Sequence, residues 1–104
     1  MSQPNIILIL LDGARADRIE QSSDFVKLMK NGTLMNNVNT AIPYTIGSVN
    51  VTFSGLYGKD NGIDAYYKMF RLKESVKILP EILNNNGYFT ACDLLSEKII
   101  SKRG

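Results

Sequence analysis

An α/β fold, a mainly parallel sheet flanked by helices, is what this sequence predicts, and three observations lead there. A continuous apolar run, Ile6 to Leu11, stops abruptly at Asp12-Gly13. Two amphipathic stretches, ending near Gly32 and Gly87, carry helical spacing. The elements then alternate as strand, helix, strand, helix, helix, strand, which is the order of β-α units around a parallel sheet.

Each element has its own reason. Asn5-Ile-Ile-Leu-Ile-Leu-Leu11 lacks polar alternation, so it fits a strand covered on both faces; a buried helix segment competes, and branching, short length and the Asp-Gly stop favour the strand. Ser22 to Gly32 predicts a short helix: a serine supplies the N-cap oxygen, Phe25, Leu28 and Met29 share a face, and Gly32 ends it in the left-handed conformation. Thr33 to Thr40 predicts a second strand, weakened by its asparagines, before a turn at Pro43. Small and hydroxylated residues from Thr45 to Gly55 predict a closely packed helix, and Gly58 to Ile63 a turn or loop. The stretch Tyr66 to Glu74 is ambiguous. Leu79 to Gly87 predicts a helix with Pro80 in its first turn and Leu79, Ile82 and Leu83 as its apolar stripe. Tyr88 to Cys92 predicts a strand, and Leu94 to Arg103 the start of another helix.

Composition narrows the function. The 104 residues allow one small domain, with 44% hydrophobic and 21% charged residues, near the soluble average. A net charge of +2 is too small for a nucleic-acid partner, and the cluster Lys98, Lys102 and Arg103 reads as a solvated terminus. The six-residue apolar run is far short of a membrane span, and the opening Met-Ser-Gln-Pro-Asn lacks a secretory charge, so no membrane association and a cytoplasmic location are expected. Cys92 is the only cysteine, which permits a reducing compartment. The sequence contains no histidine, so chemistry falls to carboxylates, hydroxyls, backbone amides or groups supplied by something else.

Two places carry candidate chemistry. Asp12 follows the first predicted strand, where ligands of open α/β sheets bind; it reads either as an Asp-Gly turn or as a carboxylate for a divalent metal. Arg15 and Asp17 read as a surface ion pair or a polar helix start. Thr45 follows the proline turn at a predicted helix N-terminus. It reads either as a helix cap or as a nucleophile whose helix end favours an anion and whose hydroxyl a metal could activate.

These residues bear a family resemblance. Asn5 to Leu11 followed by Asp-Gly-Ala-Arg-Ala-Asp17 resembles the opening of the sulfatase branch of the alkaline phosphatase superfamily. Pro43-Tyr-Thr45 through Ser54-Gly-Leu-Tyr57 and Asn61-Gly-Ile63 is similar to that family's nucleophile segment, where the nucleophile precedes a Thr/Ser-Gly glycine by ten positions; ten before Gly55 is Thr45. Leu79-Pro-Glu-Ile-Leu with Gly87-Tyr-Phe-Thr90 resembles the helix and strand that follow. The resemblance implies the N-terminal portion of a sulfatase-like domain that hydrolyses or transfers a small-molecule phosphate or sulfate ester. It implies Asp12 as a ligand of a divalent metal (Zn, Mn or Ca), Thr45 as the metal-bound nucleophile, and Ser48 and Asn50 in the same pocket.

The departures are specific. Formylglycine-forming sulfatases convert a Cys or Ser within a Cys/Ser-x-Pro-x-Arg window, and here that window reads Thr45-Ile-Gly-Ser-Val49. A threonine nucleophile is more like the superfamily's phosphodiesterases, phosphomutases and phosphotransferases. Gly13 stands where classical members often have a second aspartate. The family's other Asp and His ligands come much later in longer chains, so the expectation is a fragment with an incomplete metal site, inactive by itself. A non-catalytic α/β module that binds a metal or anion is the alternative, with self-association or a completing partner chain also open.

Overall fold

A computed structural model of the chain describes residues 3–64 and 71–94. It divides into two units, Met1–Val38 and Asn39–Gly104.

The first unit opens with the apolar run. Asp12-Gly13 then turns the chain: the Ala14 amide donates to the Leu11 carbonyl at 3.4 Å, and Gly13 takes φ 71°, a left-handed conformation that glycine adopts without steric cost. A 3₁₀ helix, Ala16–Gln21, runs into helix α1, Ser23–Lys30, and the two pack on each other. Ser22 is the N-cap of α1 as its position suggests, although its hydroxyl makes no capping bond. The predicted stripe is shifted: Phe25, Val26 and Met29 are half-buried while Leu28 is 67% exposed. Gly32 does not take the left-handed conformation expected of it, since α1 ends one residue earlier on Asn31 at φ −105°.

The second unit holds α2 (Thr45–Ser54), the one-turn α3 (Gly58–Asn61) and α4 (Leu79–Asn85), with α2 packed on both others. Helix α2 ends on Gly55 at φ 66°, whose amide donates to the Val51 carbonyl at 2.8 Å. The stretch Gly58–Ile63, expected as a loop, closes a helical turn instead. The Asn61 amide bonds Tyr57 and the Gly62 amide bonds Gly58, with Gly62 at φ 99°. Helix α4 is written almost wholly in local sequence. Pro80 sits in its first turn, and the Glu81 carboxylate accepts the Ile78 amide at 3.0 Å. At its far end Tyr88 donates to Leu83 and Gly87 to Asn84, with Gly87 at φ 84°, which is a Schellman ending. Of its stripe, Leu79 and Leu83 are half-buried and Ile82 is 44% exposed.

The described core of this unit is small: Ile63, Val76 and Ile78, with Asn50 and Asn61 buried beside them in polar form. Asn61 is fully buried and bonded through every polar side-chain atom. Its Nδ2 donates to Ser54 Oγ at 3.2 Å and to the Leu56 carbonyl at 3.1 Å, and its Oδ1 accepts the Ile63 amide at 2.8 Å. Its backbone carbonyl also takes the Lys73 amide at 2.9 Å.

The fold class expected from sequence is overturned. Among the described residues there is no strand and no sheet, parallel or otherwise. Ile6–Leu11, Thr33–Thr40 and Tyr88–Cys92 make no ladder, and the side chains of Ile6–Leu11 stand 50–84% exposed. The physical reason is that an apolar run records a tendency to be buried, whereas a strand also needs a second segment to exchange hydrogen bonds with. No described segment offers those bonds to Ile6–Leu10. The helix expected over Leu94 to Arg103 and most of the ambiguous stretch after Tyr66 lie outside the described residues. Among the described residues, no helix is long and apolar enough to cross a membrane.

Replacing Asn61 with alanine should destabilise the second unit by about 1–3 kcal/mol, because it leaves the buried Ile63 amide without its acceptor and the Leu56 carbonyl without its donor. Urea unfolding of Asn61→Ala against the parent chain checks this, and an unchanged midpoint would show that the amide network contributes nothing.

Candidate functional site

Thr45 is the first residue of α2, directly after Tyr44, which caps the helix in extended conformation at φ −148° and ψ 153°. The amides of a first helical turn have no carbonyl within the helix to bond, and they point outward with the positive end of the helix dipole. The intrahelical ladder starts with Ser48, whose amide donates to the Tyr44 carbonyl at 3.0 Å. Thr45 is half-buried.

The preceding loop is folded tightly against this turn. Thr40 Oγ1 donates to the Ile42 carbonyl at 2.9 Å, which curls the chain ahead of Pro43. Gly47 then admits the side chains of that loop. A Cβ at Gly47 would lie 2.6 Å from Ile42 Cγ2 and 2.8 Å from two ring carbons of Tyr44. Ile42 also reaches α3, where a Cβ on Gly58 would meet its Cδ1 at 2.9 Å and the Ile63 carbonyl closer still. Two glycines thus make room for one isoleucine. Gly47 costs the helix up to about 1 kcal/mol in intrinsic propensity, so its use here reflects packing.

Helix α2 has two chemically different faces. Thr45, Ser48 and Thr52 follow i, i+3, i+7 spacing and form a hydroxyl face. Thr52 Oγ1 donates back to the Ser48 carbonyl at 2.9 Å. The other face is occupied with internal bonds: Asn50 Nδ2 donates to the Ile46 carbonyl at 2.8 Å, and Ser54 Oγ donates to the Asn50 carbonyl at 2.6 Å before receiving Asn61. Of the residues grouped with Thr45 by sequence, Ser48 shares its face, while Asn50 is buried and holds its own helix. Thr52 and Asn61 were not singled out as site residues; helical spacing from Thr45 would have found the first, but the burial of Asn61 has no local signature.

Asp12 lies in the first unit, at the second position of the Leu11–Ala14 turn. A groove of about 360 Å³ lies close to it in sequence, lined by Ile9, Leu11, Ile19 and Phe25 together with Arg15 and Arg18. Arg15 and Asp17 form the surface pair read from sequence, with Nε to Oδ1 at 2.9 Å and Nη2 to Oδ2 at 2.7 Å. The guanidinium holds the Asp17 carboxyl below its ordinary value, and the carboxylate raises Arg15 in turn. Among the described residues, no group of three His, Cys, Asp or Glu side chains gathers in a way that could hold a metal ion. Asp12 and Thr45 are two oxygen donors, and a catalytic ion takes three or more protein ligands.

A family model described as Sulfatase matches residues 4–95. That span contains the apolar run, the Asp12 turn, all of α2 and the α4 segment. No curated protein and no solved structure matches the chain.

Gly47→Ala should cost about 1–3 kcal/mol, since the new methyl overpacks against Ile42 and Tyr44. It should also shift the backbone amide resonance of Thr45, and thermal unfolding with a heteronuclear spectrum reads both. A neutral substitution would mean the loop is not seated on the first turn.

In Arg15→Gln, the Asp17 titration midpoint followed by carboxyl NMR should move up. The folded value is the depressed one, so what stability the pair adds is present above the unfolded aspartate value and is lost as pH falls through the folded value. Both groups are fully exposed, so only the midpoint, not overall stability, is expected to move measurably. An unmoved midpoint would assign the depression to something other than Arg15.

Proposed function

Because the chain belongs to the sulfatase family, we propose that it carries the nucleophile of a hydrolase or transferase acting on phosphate or sulfate esters, and that Thr45 is that nucleophile. The single observation behind this reading is the position of Thr45 as the first residue of α2, on a face shared with Ser48 and Thr52. An ester oxyanion placed there meets outward-pointing amides and the helix dipole, the same physics that seats phosphates on helix N-termini elsewhere.

In the proposed reaction Thr45 Oγ1 attacks phosphorus or sulfur in line with the departing alcohol. The Oγ1–P or Oγ1–S bond forms, the ester bond to the alcohol breaks, and the alcohol leaves with a proton. Water or a second alcohol then displaces the threonine oxygen and regenerates the hydroxyl. The hydroxyl proton of Thr45 must pass to a base. A threonine also sets this chain apart from formylglycine chemistry, which favours phosphate esters over sulfate esters as substrates. Metal dependence belongs to the same proposal, with Asp12 and Thr45 as oxygen donors to Zn, Mn or Ca. Two donors leave the ion under-coordinated, so the 104-residue chain by itself is proposed to be inactive.

Two measurements test this. Titration with inorganic phosphate or sulfate should move the amide signals of Thr45, Ile46 and Gly47 before any others, and signals that stay still rule out an anion site at this helix end. Assays with aryl phosphate, phosphodiester and aryl sulfate substrates, with Zn²⁺, Mn²⁺ or Ca²⁺ added, should give no turnover that distinguishes the parent chain from Thr45→Ala. Turnover abolished by Thr45→Ala would keep the nucleophile and overturn the incomplete site.

A further inference from the structure

Asparagine is followed by glycine at three places, Asn31-Gly32, Asn61-Gly62 and Asn86-Gly87. That dipeptide is chemically labile, because a glycine carries no side chain to block its own backbone nitrogen from the preceding side-chain carbonyl. The three pairs differ in what holds them. Asn61 is fully buried with both polar side-chain atoms bonded, and the Gly62 amide donates to the Gly58 carbonyl at 2.8 Å. Asn86 is exposed, but its Nδ2 donates to the Ile82 carbonyl at 2.7 Å and the Gly87 amide to Asn84 at 3.0 Å. Gly87 at φ 84° and the Tyr88 amide on Leu83 at 3.1 Å close that end a second time.

Asn31 is held least. It is exposed, its Nδ2 donates to the Lys27 carbonyl at 3.2 Å, and the Gly32 amide reaches the Met29 carbonyl only at 3.4 Å, longer than such bonds usually are. Helix α1 contains no buried residue, and no left-handed glycine ends it. Its last turn therefore opens at little cost, whereas exposing Asn61 requires undoing the second unit.

We propose that Asn31-Gly32 is a self-modification site, where the folded chain converts Asn31 to aspartate and isoaspartate ahead of the other two pairs.

The step needs nothing but water. The Gly32 backbone nitrogen attacks Asn31 Cγ; the N–Cγ bond forms, the Cγ–Nδ2 bond breaks, and ammonia departs with the Gly32 amide proton. Water then opens the five-membered imide. Attack at Cγ leaves aspartate, and attack at the backbone carbonyl leaves isoaspartate. Ring closure needs Cβ eclipsed with the Gly32 nitrogen about the Cα–C bond, which the ψ of 5° at Asn31 does not give, so the last turn opens first. Opening breaks the 3.2 and 3.4 Å bonds and uncovers nothing buried. Asp12-Gly13 can close the same ring only by expelling water, a slower departure that leaves the mass unchanged.

The product changes the helix end. A carboxylate replaces the amide that faced the Lys27 carbonyl, and it stands at the negative end of the α1 dipole. Isoaspartate also adds a methylene to the main chain there. The formal net charge falls from +2 to +1, so the modified chain separates by ion exchange.

Peptide mapping by mass spectrometry, on the 104-residue chain incubated folded at mildly alkaline pH, tests the site. Asn31 should gain the mass of amide-to-acid conversion about tenfold faster than Asn86, which has a further amide bond to break, and Asn61 should be slowest. In guanidinium sufficient to unfold the chain, the three rates should converge. Gly32→Ala should slow conversion at Asn31 by about tenfold or more, because a methyl crowds the attacking nitrogen. That variant leaves the fold in place: Gly32 is not left-handed, and an added Cβ meets only the Leu28 carbonyl at 3.4 Å, so the far-UV helix signal should match the parent. Asn61 or Asn86 converting as fast as Asn31 in the folded chain, or an Asn31 that stays intact, overturns the proposal. So does a folded-state order that persists unchanged in guanidinium, or a parent rate in Gly32→Ala.

Discussion

The second unit depends on one buried amide. Asn61 has no exposed surface, and its side chain joins three separate pieces of chain: the last turn of α2 through Ser54, the connection after it through Leu56, and the entry to the small core through Ile63. A buried amide with three of its bonds made is stable where it is and costly to disturb, because each partner would be left unsatisfied without it. Among the described residues the apolar core around it is Ile63, Val76 and Ile78. Lysine 73 adds a second tie across the same turn, its Nζ donating to the carbonyls of Lys59 and Asp60 at 3.2 and 2.8 Å.

From Asn61 the constraint runs to Thr45 along α2. Ser54 receives the Asn61 amide and itself donates to Asn50, whose side chain donates to Ile46, one residue from Thr45. This face of the helix is consumed by structure; Thr45, Ser48 and Thr52 lie on the opposite one. Ile42 provides the other support, wedged where Gly47 and Gly58 have no side chain. The family match over residues 4–95 covers these supports as well as the threonine, so the resemblance rests on a folded segment rather than on an isolated residue.

The candidate site was legible in sequence to the extent that its signals are local. The Pro43-Tyr-Thr45 turn before a run of small residues marks a helix start, and Thr45 is the first residue of α2. The Arg15–Asp17 pair two residues apart was equally plain. Asn50 could not be placed from sequence, because an asparagine in a helix looks the same whether its amide faces a substrate or its own carbonyl four residues back. Asn61 looked like an ordinary loop residue beside glycine, and only burial gave it a role.

What the sequence by itself determined is three of the described helices and most of their ends: Thr45–Ser54 closing on Gly55, Leu79–Asn85 closing on Gly87, and Ser23–Lys30 behind Ser22. Caps, prolines, left-handed glycines and apolar spacing act within a few residues, so a helix can be read where it is written. Sequence also determined the family, through motifs in order. Tertiary structure decided which apolar segments find partners. It left Ile6–Leu11 without a strand beside it, closed Gly58–Asn61 into a helical turn, and chose Asn61 rather than an aliphatic residue as the tie between segments. Strand pairing and burial are relations between distant parts of the chain, and the composition of one part does not state what the other will offer it.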